Sequence, residues 1–352
     1  MSYKKILAIT YWGLGDFIWA TSAFAIIKKT FPKSELTVLL LKEFEQLAKN
    51  NPVIDKYFFY YHSRNDSYIK DRLKKSLWFL RYFLKLVFGG YEACIFFDNS
   101  TLLTLIVKMA GIKVIAGPDI RAGIKNAAEP SRKYFTFTAR LNPDVKHFHM
   151  SQRYQNIARQ FLESYNLAKP VLTDTKNLSD KALNLIGEKT GFTVCINYRG
   201  QKTLPDERII EIIKALSSQI PSNFCLLGDK SIFDNSKKIV NSLKDVSIKN
   251  LCGKTDILVL KAVLEQSDLL ISVDTGTVHL AAAAGIKVIS LHGQTLPDES
   301  MPVTHKAAAL CSYEKCSPCS YAECPNGLKC LYNISVKEIC ETAKILLNEK
   351  SE

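Results

Sequence analysis

Residues 268–293 read DLLISVDTGTVHLAAAAGIKVISLHG, and this stretch decides the fold class. An apolar run over 268–274 is followed by a polar break, a short helical pattern over 277–285, and a second apolar run over 287–293. Two such strands joined by a helix lie side by side as parallel neighbours through a right-handed crossover. The same rhythm extends upstream, with strands expected over 192–197 (FTVCIN) and 223–228 (NFCLLG) and helices over 206–218, 231–243 and 256–266. A last helix is expected over 335–348. The first half has its own series: apolar runs at 4–10, 36–41, 56–61, 93–98 and 113–117, with helical patterns reaching Thr30 and spanning 71–88, 100–110 and 149–165. A polar, turn-rich segment, 167–181, separates the two series. The expectation is an α/β protein with two Rossmann-like domains facing a cleft.

A chain of 352 residues suits two domains, and 47% apolar with 23% charged residues excludes disorder or coiled coil as the main content. The longest apolar stretch, 76–97, is interrupted by Arg81, Lys85 and Glu92 and is no membrane span. The N-terminus runs straight into a strand without a signal-peptide pattern, so a cytoplasmic location is expected, with reduced rather than disulfide-bonded cysteines. Charge is distributed unevenly. Up to residue 185 there are 28 Lys and Arg against 15 Asp and Glu, which is the whole net charge of +13; beyond it the count is 19 against 19. A one-sided basic domain implies an anionic partner. Nucleic acid is not expected, because zinc-finger, RNA-binding and helix-turn-helix signatures are absent.

Three strand-to-helix turns carry candidate chemistry. Gly13, Gly15 and Asp16 follow the first strand, where open α/β sheets bind ligands; Asp16 either works there or caps the next helix. Asp274-Thr275-Gly276-Thr277-Val278-His279 places two hydroxyls and free N–H groups at a helix N-terminus, an anion site suited to a diphosphate, with a satisfied helix cap as the alternative. Asn197 and Lys202 follow the first strand of the second half, where Lys202 could neutralise a leaving phosphate or simply be solvated. Gly228-Asp229 and Gly253-Lys254-Thr255 follow other strand ends.

Together these residues resemble glycosyltransferase family 9, the bacterial heptosyltransferases of lipopolysaccharide core synthesis. ILAITYWGLGDFIWATSAFAIIKKTFP matches the family's start, LLISVDTGTVHLAAAAGIKVISLHGQT its most specific motif, and KNLCGKTDILVLKAVLEQSDLLIS the segment before it. The resemblance covers about 1–120 and 190–348. It implies a GT-B fold. A basic acceptor-binding domain would span 1–175 and a nucleotide-sugar domain 176–334, with a cysteine-rich loop at 311–330. A C-terminal helix and tail, 335–352, would be free to pack back on the first domain.

The resemblance further implies an inverting transfer, without divalent metal, of a sugar, with heptose from ADP-heptose favoured, to a lipid-linked anionic glycan of the lipopolysaccharide-core type. Asp16 matches the general base and Lys202 the group offsetting diphosphate charge. Asn197, Gly228, Asp229, Gly253, Thr255, Asp274, Thr275, Gly276, Thr277 and His279 fall on the donor side; Gly13, Gly15 and Asp98 fall on the acceptor side. Asp229 and Asp234 both qualify as the acidic residue that binds the donor nucleoside. The alternatives are another nucleotide-sugar enzyme of this fold, acting on a different sugar or as an epimerase, and a non-catalytic anion-binding protein.

Three features stay open at this level. The segment 70–88, KDRLKKSLWFLRYFLKLVF, reads as a sheet-covering helix whose basic face is free for peripheral contact with an anionic membrane. Cys316, Cys319, Cys324 and Cys330 have spacing compatible with a structural zinc site, with reduced thiols or with an occasional disulfide in a small loop subdomain, and Cys311 is left over. The histidines lack metal-ligand spacing. Their tightest pair, His147 and His149, reads as solvated loop.

Overall fold

The computed structural model describes residues 3–61, 68–98, 100–119, 133–140, 149–200, 202–319 and 323–349, without the side chains of 68–73. It divides into two compact units, Met1–Thr173 and Asp174–Glu352. The division has a local cause. Thr173 donates to Leu47 O at 2.9 Å, and Val171 N–H to Thr21 Oγ1 at 3.0 Å, which ties the end of the turn-rich segment to the first unit. Two residues on, Thr175 accepts from Lys261 Nζ at 2.9 Å and belongs to the second.

The first unit runs β1 (Lys5–Ile9), α1 (Leu14–Thr30), β2 (Glu35–Leu41), α2 (Glu45–Ala48), β3 (Lys56–Tyr60), α3 (Tyr68–Gly89), β4 (Ala93–Phe96), α4 (Thr101–Met109), β5 (Val114–Pro118), β6 (Phe137–Ala139) and α5 (Met150–Phe161). Its strands pair in parallel in the order β3-β2-β1-β4-β5-β6. The second unit runs α6 (Ser179–Ile186), β7 (Phe192–Asn197), α7 (Asp206–Ser217), β8 (Ser222–Leu226), α8 (Phe233–Ser242), β9 (Ile248–Asn250), α9 (Ile257–Glu265), β10 (Leu269–Val273), α10 (Gly276–Ala283), β11 (Lys287–His292), α11 (Pro297–Ser300), β12 (Ala307–Cys311), α12 (Lys329–Tyr332) and α13 (Val336–Asn348). Its sheet is also parallel, in the order β12-β11-β10-β7-β8-β9.

Strands β1 and β10 lack polar/apolar alternation because both faces are covered; Ile6, Leu7, Ala8 and Ile9 have no exposed surface. In each unit the chain winds outward from the central strand (β1 or β7) and then crosses to its other side (β4 or β10). That reversal is a topological switch point, where the loops diverge and leave a crevice at the carboxyl ends of the strands.

Two sequence-level expectations change. Helix α13 does not stand apart as a separate element after 334: Ile339, Cys340, Ala343, Leu346 and Leu347 join the buried core formed by β7, β8 and α7 of the second unit. The cause is its apolar stripe, spaced 339, 340, 343, 346, 347, which matches one helical face. Second, the helix expected over 231–243 starts as a 3-10 turn, Lys230–Ile232, before α8. Among the described residues no helix is long and apolar enough to cross a membrane.

Candidate active site

At the first unit's switch point, the turn after β1 and the turn after β4 bring Asp16 and Asp98 together. Gly13 is the N-cap of α1 in extended conformation, and Asp16, in the first turn, accepts its N–H through Oδ2 at 3.1 Å. The cap expected as the plain alternative is therefore present. It occupies only one side of the carboxylate. Asp16 Oδ1 accepts from the hydroxyl of Tyr154, on α5, at 2.9 Å. The same hydroxyl lies 2.8 Å from Asp98 Oδ1, while Asp98 Oδ2 accepts the Tyr11 N–H at 2.8 Å. Gly15 is buried beneath this turn.

Tyr154 is fully buried and stacks on Phe97 with ring centroids 5.5 Å apart and planes 10° apart. Asp98 is 5% exposed, whereas Asp16 is partly exposed. Burial raises the Asp16 carboxyl above the usual carboxylate range, against the hydrogen bonds from Tyr154 and Gly13 and the charge of Arg153. Burial, then the charge on Asp16, pushes Asp98 up to about 7. A partly exposed carboxylate of raised basicity is suited to taking a proton from a hydroxyl near neutral pH.

The second unit's switch point gathers the donor-side candidates. Asn197 ends β7, and its Nδ2 donates to Thr275 Oγ1 and to Thr277 Oγ1, both at 3.2 Å. This fixes the turn between β10 and α10. Thr275 caps α10 through the Thr277 N–H, so the first-turn N–H groups and two threonine hydroxyls share one place. Gly200 leaves room for this cap, since a Cβ there would sit 2.7 Å from Thr275 Cγ2 and force that side chain to shift. Lys202, in the same loop after β7, is 8% exposed. Its charge lowers the pKa of Cys324, behind the larger effect of N–H groups of Leu328 and Asn326 on that sulfur.

Asp274 does not join the Asn197, Thr275 and Thr277 cluster beside it. Its Oδ2 accepts from the hydroxyls of Thr295 and, at 2.8 Å, Ser300, and His292 Nδ1 lies 3.8 Å away. His279 Nε2 is 4.0 Å from its other oxygen. The carboxylate thus braces the loops after β10 and β11. Gly228 and Gly253 meet across the ends of β8 and β9, with Gly253 N–H donating to Gly228 O at 2.9 Å. Gly253 has φ +69°, and Thr255 follows it into the cap of α9. Asp229 caps the 3-10 turn through the Ser231 N–H at 2.7 Å and is held below the usual range by that serine. Asp234 is exposed in the first turn of α8.

Tyr154, Arg153, His292, Thr295 and Ser300 carry no sequence motif. Tyr154 has one signal, a tyrosine on the apolar face of an amphipathic helix, whose buried hydroxyl needs a partner. His149 is not solvated loop but the N-cap of α5, accepting the Ser151 N–H, while His147 and His62 lie outside the described residues. His292 is fully buried, bonded to Ser290 Oγ at 2.9 Å and pushed by burial toward its neutral form. Cys316, Cys319, Cys324 and Cys330 are free thiols, and among the described residues no three His, Cys, Asp or Glu side chains are placed to hold a metal ion. Their loop is pinned to the loop after β11, with Cys319 N–H donating to Gln294 O at 2.9 Å.

Comparison with known proteins places the fold and the family. A lipooligosaccharide heptosyltransferase 2 of Campylobacter jejuni is 30% identical over 141 residues, 37% of this chain and 44% of that protein. The chain thus spans less than half the length of the Campylobacter jejuni relatives it matches. A lipopolysaccharide heptosyltransferase 1 of Campylobacter coli is 24% identical over 305 residues, 83% of this chain and 84% of that one. Among solved structures, the ADP-heptose lipopolysaccharide heptosyltransferase II of Escherichia coli superposes with a TM-score of 0.74 at 18% identity, over 97% of this chain and 98% of that chain, which shows a shared fold. Residues 81–329 match glycosyltransferase family 9 (heptosyltransferase) as a family, well over half the chain, and the chain belongs to that family.

Proposed function

We propose that the protein transfers heptose from ADP-heptose to a hydroxyl of a lipopolysaccharide-core-type acceptor, with inversion at the anomeric carbon. The observation that carries the reading is Asp16: a partly exposed carboxylate of raised basicity at the carboxyl end of β1. In the step, Asp16 takes the acceptor hydroxyl proton and the acceptor oxygen bonds the anomeric carbon. The bond from that carbon to the diphosphate oxygen breaks, and ADP leaves with its electron pair. Lys202, the Thr275 and Thr277 hydroxyls and the first N–H groups of α10 offset the charge of the departing diphosphate. The choice of heptose and of ADP rests on what the Campylobacter and Escherichia coli relatives are named for.

Because this anion site is built from a lysine, hydroxyls and N–H groups, ADP is expected to raise the melting temperature without added Mg²⁺, by more than GDP or UDP does. At 100 times the dissociation constant the stabilisation is about 2.7 kcal/mol. Strict dependence on a divalent ion, or a preference for another nucleotide, contradicts the donor assignment.

A lipid-anchored acceptor would bring the enzyme to a membrane, and the exposed residues of α3 support a peripheral contact. Leu77, Leu80, Leu84, Val87 and Phe88 are exposed along it, while Tyr82 and Leu86 face the core. Lys74, Lys75, Arg81 and Lys85 are exposed on the same helix. The sheet-covering role and a free amphipathic face therefore coexist. Each basic residue near an anionic surface is worth about 1 kcal/mol, and the exposed apolar stripe adds burial in the interface. The protein is expected to sediment with phosphatidylglycerol vesicles at low salt and not with phosphatidylcholine vesicles, and Leu80→Glu with Leu84→Glu is expected to release it. Equal binding to both vesicles, or to neither, points instead to a soluble acidic acceptor.

A further inference from the structure

The Tyr154 hydroxyl lies within hydrogen-bond distance of two carboxylates at once, 2.9 Å from Asp16 Oδ1 and 2.8 Å from Asp98 Oδ1. A phenol has one proton to donate. If both carboxylates were ionised, one of these contacts would press two oxygens together with no proton between them, inside a site where Tyr154 and Asp98 are buried. An unmade hydrogen bond and a second buried charge both cost free energy there. Both contacts are satisfied only when one carboxyl carries a proton and donates it to the tyrosine oxygen, leaving the tyrosine proton for the other.

The surroundings decide which carboxyl holds it. Facing this group are Thr10 and Tyr11 after β1, Asp16 on α1, and Arg153 and Tyr154 on α5; His149, at the start of α5, packs on Trp19. The positive charge among them, Arg153, favours ionised Asp16. Asp98 is the more deeply buried of the pair. We propose that, of the two carboxyls, Asp98 is the one that carries the shared proton and donates it to Tyr154, whose hydroxyl in turn donates to ionised Asp16, so that Asp98 and Tyr154 are positioning residues for the base.

The direction of the Asp98 shift, up to about 7, agrees with this order. The chain of two bonds orients Oδ1 of Asp16, and the acceptor proton then goes to Oδ2, which accepts the Gly13 N–H at 3.1 Å and keeps a second lone pair. It also keeps a second negative charge out of the site while Asp16 is ionised. The catalytic consequence rests on Asp16 being the base; the protonation itself does not, and the two are tested separately.

Infrared difference spectra between pH 5 and pH 9 read the proton directly, through the carbonyl stretch of a protonated carboxylic acid. Wild type is expected to lose one such band with a midpoint of about 7. Asp98→Asn, an isostere whose amide can donate to Tyr154 in the acid's place, is expected to lack it. In Asp16→Asn the band is expected to remain and to titrate at lower pH, because the neighbouring charge that helps raise Asp98 is gone. Stability carries the same sign. A carboxyl whose folded pKa lies above its unfolded value contributes stability at low pH that is lost as pH rises through the folded value, so wild type weakens from about pH 4 through about pH 7 and Asp98→Asn flattens that slope.

Tyr154→Phe is expected to lower kcat by about tenfold or more while leaving KM for the donor unchanged, the cost of one hydrogen bond to a charged group. A band that survives Asp98→Asn but disappears in Asp16→Asn places the proton on the wrong carboxyl and overturns the proposal. So does the absence of any such band in wild type at pH 6. An unchanged kcat in Tyr154→Phe removes the positioning role. If the band behaves as expected but the protein transfers no sugar, the proton arrangement stands and the proposed function fails.

Discussion

Asp16→Asn is expected to slow sugar transfer by about 10²–10⁴-fold, with ADP affinity unchanged. The carboxylate stands at the carboxyl end of the first sheet, while Lys202 and Thr275 to Thr277, the residues proposed to hold the diphosphate, are on the other unit. An amide fills the same volume and its oxygen can still accept from Gly13 or Tyr154, but it cannot take a proton from the acceptor. Loss of a group that acts in the transition state lowers kcat without weakening ground-state binding of the donor. The cap that Asp16 also provides is worth about 1 kcal/mol, so the variant remains folded and its melting temperature separates the two roles. Turnover above about a tenth of wild type in a folded Asp16→Asn protein would leave Asp16 as a helix cap and nothing more.

Lys202→Ala is expected to behave differently, losing donor affinity as well as rate. Lys202 is 8% exposed, so its charge is little screened by solvent. A charge-assisted hydrogen bond contributes about 1.5–3 kcal/mol, which is about 10- to 150-fold in the dissociation constant of ADP. The effect on kcat comes on top, since negative charge on the diphosphate oxygen grows as the bond to the sugar breaks. Titration calorimetry of ADP into wild type and Lys202→Ala, both without divalent ions, measures the first part. Equal affinities would place Lys202 outside the donor site. Lys202→Arg retains the charge but spreads it over a planar group, so partial recovery of affinity is expected.

The two α/β series were legible because buried parallel strands are nearly continuous apolar runs. FTVCIN over 192–197 is β7 residue for residue. The strands that escaped sequence reading, β6, β9 and β12, all lie at sheet edges. Two of them have only three residues, and β12 opens on three alanines, which are poor strand formers. The places of Asp16, Lys202 and the 274–277 turn after the strands β1, β7 and β10 were legible because each strand is an apolar run that stops at a glycine or polar break, and in this topology ligands bind at such strand ends.

The network behind Asp16 was not. Tyr154 is 138 residues from Asp16 and 56 from Asp98, and only tertiary folding shows that one hydroxyl serves both. Likewise Asp274 sits in a phosphate-type loop, yet its carboxylate is taken up by Thr295 and Ser300, residues no spacing rule connects to it.

The most direct test incubates the protein with ADP-heptose and a heptose-free core acceptor in the presence of a chelator, and weighs the acceptor by mass spectrometry. Wild type is predicted to add one heptose and release one ADP for each acceptor converted, and Asp16→Asn to add none on the same time scale. An acceptor that gains no heptose from ADP-heptose but gains a sugar from another nucleotide donor, or one that Asp16→Asn converts as fast as wild type, would contradict the account.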